Sequence, residues 1–213
     1  MKMIFVRHGQ TKWNAEERLQ GQLDAELSEL GFRQARQTAE ALADKVVDSI
    51  YSSDLQRAYV TAEIIAEKHG LPVTRQPVLR EVCLGEWQGL SLAEVAARYP
   101  TEYEAYRTDP MANRPPGAER IESLISRVRG FIEGAVQGNL IGKTIVVVTH
   151  GGIIRGALCC AFGAGPELYR RVKVDNASLT AVEFESMDRP LALFVNDVCH
   201  LRPMDASSGV PEM

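Results

Sequence analysis

Short apolar runs alternate along the chain with longer segments in which apolar residues recur at helical spacing. Residues 3–6 form a short apolar run, and residues 144–148 form a β-branched one; runs of this kind are typical of buried strands. Ser28 precedes a helical pattern as a helix-capping residue does. An alternation of strands and helices is typical of α/β domains with a largely parallel sheet. The pattern predicts strands at 3–6, 47–51, 144–148, 179–184 and 191–195, and helices at about 29–44, 55–69, 92–98, 102–107, 121–136 and 153–162.

Residues 82–120 interrupt this alternation. The stretch contains four prolines and several aromatic residues around short helical patterns, so we interpret it as a small helical cap insertion over one end of the sheet. The chain therefore predicts an α/β fold, a three-layer sandwich in which helices flank a mostly parallel central sheet. Residues 1–204 are expected to form a single domain, and residues 205–213 a flexible tail.

The charge balance excludes a general attraction to nucleic acid or to anionic membranes. The chain has 24 Lys and Arg against 28 Asp and Glu, a net charge of −4, so any bound anion needs a local group of cations. No apolar run approaches the roughly 20 residues that span a bilayer. The four cysteines form no Cys-x-x-Cys pair, which favours reduced thiols. With no export signal visible, the expected location is cytoplasmic, and a homodimer is compatible with the sequence.

Polar clusters follow three of the predicted strands. Arg7 and His8 come after the first strand, Arg57 lies a few residues after the second, and His150 follows the strand at 144–148. The carboxyl ends of parallel strands meet at one edge of a sheet, where ligands of α/β proteins bind. We therefore expect two guanidinium groups and two imidazoles on one rim, an arrangement that suits an anion.

Glycines beside these side chains let backbone N–H groups approach an anion. Gly9 and Gly151 each follow one of the histidines, and the helix after His150 would direct its N-terminus at the same place. A phosphoryl group, with three oxygens for several donors, fits such a site better than a carboxylate. The alternative is zinc or iron held by His8, His150 and a carboxylate. Two arginines oppose a divalent cation, and no His-Glu-x-x-His spacing occurs, so we expect no metal and no cofactor.

An ordered series of short motifs extends through nearly the whole chain, to about Leu201. The motifs are Phe5-Val6-Arg7-His8-Gly9-Gln10-Thr11 with Asn14 and Gln20-Gly21, Leu27-Ser28-x-x-Gly31-x-x-Gln34-Ala35, Ser52-Ser53-Asp54-Leu55-x-Arg57-Ala58-x-x-Thr61-Ala62, Leu79-Arg80-Glu81, Gly85-x-Trp87-x-Gly89 and Val148-Thr149-His150-Gly151-Gly152. In this order they resemble the histidine phosphatase superfamily, also called the phosphoglycerate mutase-like family, and in particular its phosphatase branch. The resemblance implies that residues 1–204 form the catalytic domain of a metal-independent phosphomonoester hydrolase.

The resemblance also implies a role for each candidate catalytic residue. His8 would attack phosphorus and form a phosphohistidine; for this its ring must be neutral, and burial and neighbouring cations lower its pKa. Arg7, Arg57 and His150 would stabilise the equatorial oxygens. Glu81 would protonate the leaving oxygen and then deprotonate the attacking water. The substrate-binding positions are Gly9, Gln10, Thr11, Asn14, Gln20, Gly21 and Gly151.

The same family includes 2,3-bisphosphoglycerate-dependent mutases, which retain the phosphoryl group and exclude water. Those mutases carry a longer segment between the acid and the second histidine, with extra basic residues. Here 69 positions separate Glu81 from His150, and no adjacent pair of basic residues lies between them. Hydrolysis of a small phosphorylated metabolite is therefore the preferred prediction. A phosphoglycerate mutase and a non-catalytic phospho-ligand binding module are the alternatives.

Two positions leave the details of the site open. Glu86 is a rival for the role of acid. Arg120 stands where these phosphatases often have serine after Gly-Glu, and it either contacts a second anion or faces outward. Sugar phosphates, phosphoglycerates, α-ribazole phosphate and phosphoamino acids are all compatible with the expected pocket.

Overall fold

The centre of the molecule is a six-stranded sheet whose strands come from both halves of the chain. The strand order is β3-β2-β4-β1-β5-β6. The first four strands in this order are parallel, whereas β5 is antiparallel to β1 and β6 is antiparallel to β5. The mostly parallel sheet predicted from the sequence is confirmed. In the computed structural model, which describes residues 1–138 and 142–201, the strands are β1 (Lys2–Arg7), β2 (Ser49–Ser52), β3 (Val73–Arg75), β4 (Thr144–Thr149), β5 (Leu179–Phe184) and β6 (Pro190–Asp197).

Strands β1 and β4 are neighbours and end at the same level of the sheet, because Arg7 pairs with Thr149. His8 and His150 are the next residues after these two strand ends. The His8 backbone N–H donates to the Thr149 carbonyl oxygen at 2.9 Å. Strand pairing therefore brings together two histidines that lie far apart in the sequence.

Helices cover both faces of the sheet. Successive side chains of a strand point to opposite faces, and accordingly Met3 and Phe5 belong to one apolar cluster whereas Ile4 and Val6 belong to the other. The first cluster includes residues of α6 and α7, and the second includes residues of α2 and α3. The predicted three-layer sandwich is therefore confirmed. The helices are α1 (Lys12–Ala15), α2 (Glu29–Leu42), α3 (Gln56–His69), α4 (Leu92–Arg98), α5 (Pro100–Thr108), α6 (Ile121–Gln137), α7 (Gly151–Ala161) and α8 (Pro166–Tyr169).

Some elements and boundaries differ from the predicted ones. The three residues of β3 and the four residues each of α1 and α8 were not expected, because such short runs show no periodicity. Helix α7 begins at Gly151 rather than at 153, since both glycines after the extended residue His150 are helical. Strand β2 begins at Ser49 rather than at 47. Val46, just before the predicted start, is 82% exposed, so the apolar residues there do not mark a buried strand.

The segment before α6 folds around one buried tryptophan. Trp87 is 1% exposed, and the rings of Tyr103 and Tyr106 on α5 lie 6.2 and 5.1 Å from its ring. These aromatic side chains pack against one another and build a core of their own for the segment. Its interpretation as a cap insertion at 82–120 stays a prediction.

The extent of the domain, 1–204, also stays a prediction. The predicted flexible tail at 205–213 lies outside the described residues. Within those residues, no helix has both the length and the apolar character needed to cross a membrane.

Candidate active site

His8 and His150 lie side by side at the carboxyl edge of the parallel strands. Their ring centroids are 5.2 Å apart, and the ring planes form an angle of 63°. The two residues are buried, as is Arg57 in the first turn of α3. The charges of Arg57 and Arg7 act on both rings. The structure therefore brings together the four side chains that were predicted to share one rim.

One hydrogen bond fixes which ring nitrogen of His8 is free. Nδ1 lies 2.7 Å from the Gly9 carbonyl oxygen; a carbonyl oxygen only accepts, so Nδ1 carries the ring hydrogen and Nε2 keeps its lone pair. Burial, followed by the charges of Arg57 and Arg7, lowers the pKa of His8 well below its usual range. The ring is therefore neutral at physiological pH, as expected, and Nε2 is available as a nucleophile.

Each of the two arginines donates to backbone carbonyl oxygens and has a buried Nε–H without a partner among the described residues. Arg57 donates from Nη1 to the Leu23 oxygen and from Nη2 to the Gly21 oxygen, both at 2.7 Å. Arg7 donates from Nη1 to the Val174 oxygen at 2.6 Å. The buried Nε atoms of both arginines have no hydrogen-bond partner among the described residues. Because an unpaired buried donor costs about 1–3 kcal/mol, these two N–H groups favour an anion that accepts from them.

The site is positively charged. Burial lowers the pKa of Arg57 to about 10 and also lowers the pKa of Arg7, yet both stay protonated at neutral pH. A Cβ built on Gly151 would lie 3.7 Å from Arg7 Nε, so this guanidinium lies against the N-terminus of α7, where the helix dipole also favours an anion. Across residues 1–138 and 142–201, no three His, Cys, Asp or Glu side chains are grouped as metal ligands.

A serine that directly follows β2 orients the second histidine. His150 Nε2 lies 2.9 Å from Ser53 Oγ, which also accepts the Leu55 N–H at 3.3 Å. The Ser53 hydroxyl hydrogen has no other acceptor among the described residues, so we assign it to the bond with Nε2, which leaves the ring hydrogen on Nδ1. Burial, and then the charge of Arg57, lowers the pKa of His150 well below its usual range. Nδ1 is buried without a partner in the described part of the chain, so it is a third free N–H donor.

The Glu81 carboxylate lies at the N-terminus of α7. Its Oε2 accepts the Gly152 N–H at 3.1 Å, and its Oε1 accepts the Val82 N–H at 2.8 Å. Its negative charge acts on both Arg7 and Arg57, where it opposes the lowering of their pKa by burial. A Cβ on Gly152 would collide with this carboxylate. Glycine at position 152 therefore makes room for the candidate acid.

Three side chains that the sequence-based site did not include hold the backbone around Glu81. The Glu81 carbonyl oxygen accepts from Gln22 Nε2 at 3.0 Å and from Arg127 Nη2 at 3.3 Å. Arg127, on α6, pairs with Glu119 through two bonds, Nε–Oε1 at 2.7 Å and Nη2–Oε2 at 3.0 Å. Glu119 also accepts the Cys83 N–H at 3.2 Å. Glu119 thus acts on the segment of Glu81 both directly and through Arg127.

The structure shows the orientation of Glu86 and Arg120, the two residues whose roles the sequence left undecided. Glu86, the rival acid, is exposed, and its charge acts on Tyr99, whose pKa is raised, so Glu81 is the carboxylate at this site. Arg120 faces outward: its side chain is 77% exposed, and Nε lies 3.5 Å from Glu122 Oε2. Arg120 therefore supplies no second contact to an anion in the site.

Three of the predicted binding residues shape the loop after His8. Gln10 Oε1 accepts the hydroxyl of Ser28, the N-cap of α2, at 2.8 Å. Thr11 is the N-cap of α1, and its hydroxyl oxygen accepts the Asn14 N–H at 3.0 Å. A Cβ on Gly9 would collide with the backbone of α2. The Gln10 and Thr11 side chains therefore stabilise the starts of two helices, while Gly9 permits the close approach of the loop.

Two of the other predicted binding residues, Gly21 and Asn14, connect to the surroundings of Arg57 and His8. Gly21 supplies a carbonyl to the Arg57 guanidinium, as described above. Gln20 is buried, and its Oε1 has no partner among the residues described. Asn14 Oδ1 accepts from Asn176 Nδ2 at 3.2 Å, and the same Nδ2 donates to the His8 carbonyl oxygen at 3.1 Å. Asn176 is thus a further residue that positions His8 and was absent from the predicted site.

Comparison with known proteins identifies the family. The model of the histidine phosphatase superfamily (branch 1) matches residues 3–197. Phosphoserine phosphatase 1 of Hydrogenobacter thermophilus is 36% identical over 201 residues, which is 94% of each chain. Phosphoglycerate mutase-like protein 4 of Arabidopsis thaliana is 38% identical over 205 residues, 94% of this chain and 86% of the relative. A solved mycobacterial glucosyl-3-phosphoglycerate phosphatase in complex with VO3 has a TM-score of 0.83 at 34% identity, covering 92% of this chain and 98% of the other. The chain belongs to the histidine phosphatase superfamily.

Proposed function

We propose that the protein hydrolyses phosphomonoesters of small metabolites through a phosphohistidine at His8. One observation carries the proposal: a buried, neutral imidazole with a free Nε2 lone pair lies among three buried N–H donors that lack partners in the described residues. These donors are Arg7 Nε, Arg57 Nε and His150 Nδ1. A phosphoryl group offers three oxygens to three donors and one phosphorus atom to the nucleophile.

In the first step, His8 Nε2 forms a bond to phosphorus while the bond from phosphorus to the ester oxygen breaks. The leaving oxygen takes a proton from the Glu81 carboxyl group, and the alcohol departs. Arg7, Arg57 and His150 donate to the three equatorial oxygens and stabilise their charge. Their contacts with backbone carbonyls and with Ser53 hold these donors in place before the substrate binds.

In the second step, water attacks phosphorus and the phosphorus–nitrogen bond breaks. The electron pair of that bond returns to His8 Nε2. Glu81, now a carboxylate, takes the proton from the water. Inorganic phosphate leaves, and both residues return to their starting states. The two steps together consume one water and need no metal and no cofactor.

The relatives favour hydrolysis over phosphoryl transfer between substrates. Two of the three are named as phosphatases of small metabolites, phosphoserine and glucosyl-3-phosphoglycerate, whereas one is named as mutase-like. In this chain, no adjacent pair of basic residues lies between Glu81 and His150. A non-catalytic binding module is not favoured either, because it would not need a nucleophile and an acid together.

Turnover assays test the proposal. The purified protein should release inorganic phosphate from p-nitrophenyl phosphate and from phosphoserine or 3-phosphoglycerate, and His8→Ala should abolish the release. His69→Ala is the matched control, because His69 lies in the last turn of α3, about 18 Å along the helix from Arg57. Activity should survive chelators and should be inhibited by orthovanadate. Interconversion of 3- and 2-phosphoglycerate without phosphate release would favour the mutase, and full activity of His8→Ala would contradict the mechanism.

We also propose that two copies of the chain associate through β6. This strand lies at one edge of the sheet and exposes Leu191, Leu193 and Val195 by 60, 40 and 41%. An edge strand can pair with its own copy about a two-fold axis. Light scattering should give the mass of a dimer for the wild type and of a monomer for Leu193→Glu; a monomeric wild type would contradict the proposal.

The proposed compartment is the cytoplasm. All four cysteines are free, and Cys159 and Cys160 are buried in the core; unpaired thiols are typical of reducing compartments. Fractionation of the native cells with a tagged chain would test this location, and recovery from an exported fraction would contradict it.

A further inference from the structure

A second group of hydrogen-bond donors, Tyr169, Arg155 and Arg114, lies on the side of the site where the candidate acid is. Tyr169, the last residue of α8, is buried, and a Cβ on Gly152 would collide with both the Tyr169 hydroxyl and the Glu81 carboxylate. These two oxygens therefore lie on the same side of the α7 N-terminus. The Arg155 guanidinium carbon lies 5.8 Å from the centre of the Tyr169 ring. Arg155 is held there by a bond from Nε to the Val172 carbonyl oxygen at 2.9 Å.

Arg114 belongs to the same group. It lies on the loop between α5 and α6, and its Nε and Nη2 are buried without a hydrogen-bond partner among the described residues. Burial raises the pKa of the Tyr169 hydroxyl above its usual range, and the charges of Arg155 and Arg114 oppose that rise. The charges of both guanidinium groups therefore act on this hydroxyl.

The second group of donors lies next to the N–H donors that bind the phosphoryl group in the proposed function. The charge of Arg155 also lowers the pKa of Arg7, and the charge of Glu81 acts on both Arg7 and Tyr169. The carboxylate of Glu81 thus lies beside two sets of hydrogen-bond donors, each of which includes two guanidinium groups. The first set, Arg7, Arg57 and His150, serves the phosphoryl group in the proposed function. The second set, Arg114, Arg155 and the Tyr169 hydroxyl, has no task in that reaction.

The position of Glu81 indicates what the second set faces. In the proposed function, on which this inference rests, Glu81 gives its proton to the leaving oxygen, so groups around Glu81 face the leaving alcohol. Buried guanidinium N–H groups without partners favour a negatively charged acceptor. We propose that Arg114, Arg155 and Tyr169 form a subsite for a carboxylate carried by the leaving alcohol. The favoured substrates are therefore phosphomonoesters of short hydroxy acids, in which the carboxylate is a few bonds from the ester oxygen.

Substrate pairs that differ only in the carboxylate test the subsite. Phosphoserine is compared with phosphoethanolamine, and 3-phosphoglycerate with glycerol 3-phosphate, and the measured quantity is the ratio of kcat/KM within each pair. A charged hydrogen-bonded contact predicts a wild-type ratio of about 10 to 100. A ratio near one would overturn the subsite while leaving the proposed hydrolysis intact. Absence of turnover on all four esters and on p-nitrophenyl phosphate would instead overturn the proposed function.

Variants test whether Arg114 and Tyr169 cause the preference for the substrate that carries the carboxylate. Arg114→Gln should lower the ratio at least about tenfold, and Arg114→Lys, which keeps the charge but loses the planar fork, should lower it less. Tyr169→Phe provides an independent test and should also lower the ratio. Arg120→Gln is the matched control, because Arg120 is on the same segment and faces outward; it should leave the ratio and the activity unchanged. A purely structural defect would lower kcat/KM for both substrates of a pair by the same factor. An unchanged ratio in the Arg114 and Tyr169 variants would overturn the proposal.

Discussion

A single methyl group at position 152 tests whether Glu81 acts as the proton donor. A Cβ on Gly152 would collide with the Glu81 carboxylate. Because Gln22 and Arg127 hold the backbone of Glu81, the carboxyl group has to swing away from the N-terminus of α7. Displacement of a catalytic group by about 1 Å costs about 100-fold in rate, within the range of about 10²–10⁴ that a general acid contributes. We therefore expect Gly152→Ala to lower kcat for an alkyl phosphomonoester by about 100-fold.

The leaving group and a matched variant make this test specific. p-Nitrophenolate departs with little help from an acid, so Gly152→Ala should lower kcat for p-nitrophenyl phosphate by less than about tenfold. Gly134→Ala is the control, because Gly134 is an exposed residue of α6 and no atom lies within 4 Å of its added Cβ. It should keep full activity and raise the free energy of unfolding by about 0.5–1 kcal/mol. Equal losses of kcat on the two substrates, or full activity of Gly152→Ala, would refute the role of Glu81.

Two further predictions concern the support of the acid and the buried imidazoles. Glu119→Gln weakens the ion pair with Arg127 that positions Glu81 and should lower kcat by about tenfold, whereas Glu122→Gln on the outer surface should leave kcat unchanged; equal steady-state rates for the two variants would contradict this role. His8 and His150 both have a pKa well below the usual range in the folded state, so below about pH 6.5 the unfolded chain binds protons that the folded chain does not. The free energy of unfolding should therefore fall by about 1.4 kcal/mol per pH unit for each histidine as pH drops from about 6.5 towards the folded-state pKa. Urea unfolding at several pH values measures this slope. The slope should be smaller in His150→Gln than in the wild type, and equal slopes would contradict a His150 that is buried in its neutral form.

The residues that form the nucleophilic centre are predictable because they depend on short-range patterns. Apolar runs that end in Arg7-His8 and in His150-Gly151 mark two strand ends, and parallel pairing then brings those ends together. The same argument includes Arg57, since it lies in the first turn of the helix after β2. The mostly parallel sheet follows from similar local signals, whereas the strand order and the short strand β3 do not.

The residues that hold the acid could not be predicted in this way. Arg127 on α6 pairs with Glu119 and reaches the Glu81 carbonyl oxygen, a contact between three segments that leaves no spacing in the sequence. Asn176 likewise reaches the His8 carbonyl from the loop before β5. The start of α7 was placed too late because glycine disfavours helix interiors. The close approach of Glu81 to Gly152 overrides that propensity, and only the folded structure reveals it.

The covalent intermediate is the most direct test of the central claim. The enzyme is mixed with labelled substrate, quenched with base within one turnover, digested and analysed by mass spectrometry. The account predicts one phosphorylated peptide, which contains His8, is stable in base and labile in acid, and forms and decays at rates that match kcat. Phosphate on another residue, or turnover with no trapped adduct at any quench time, would contradict it.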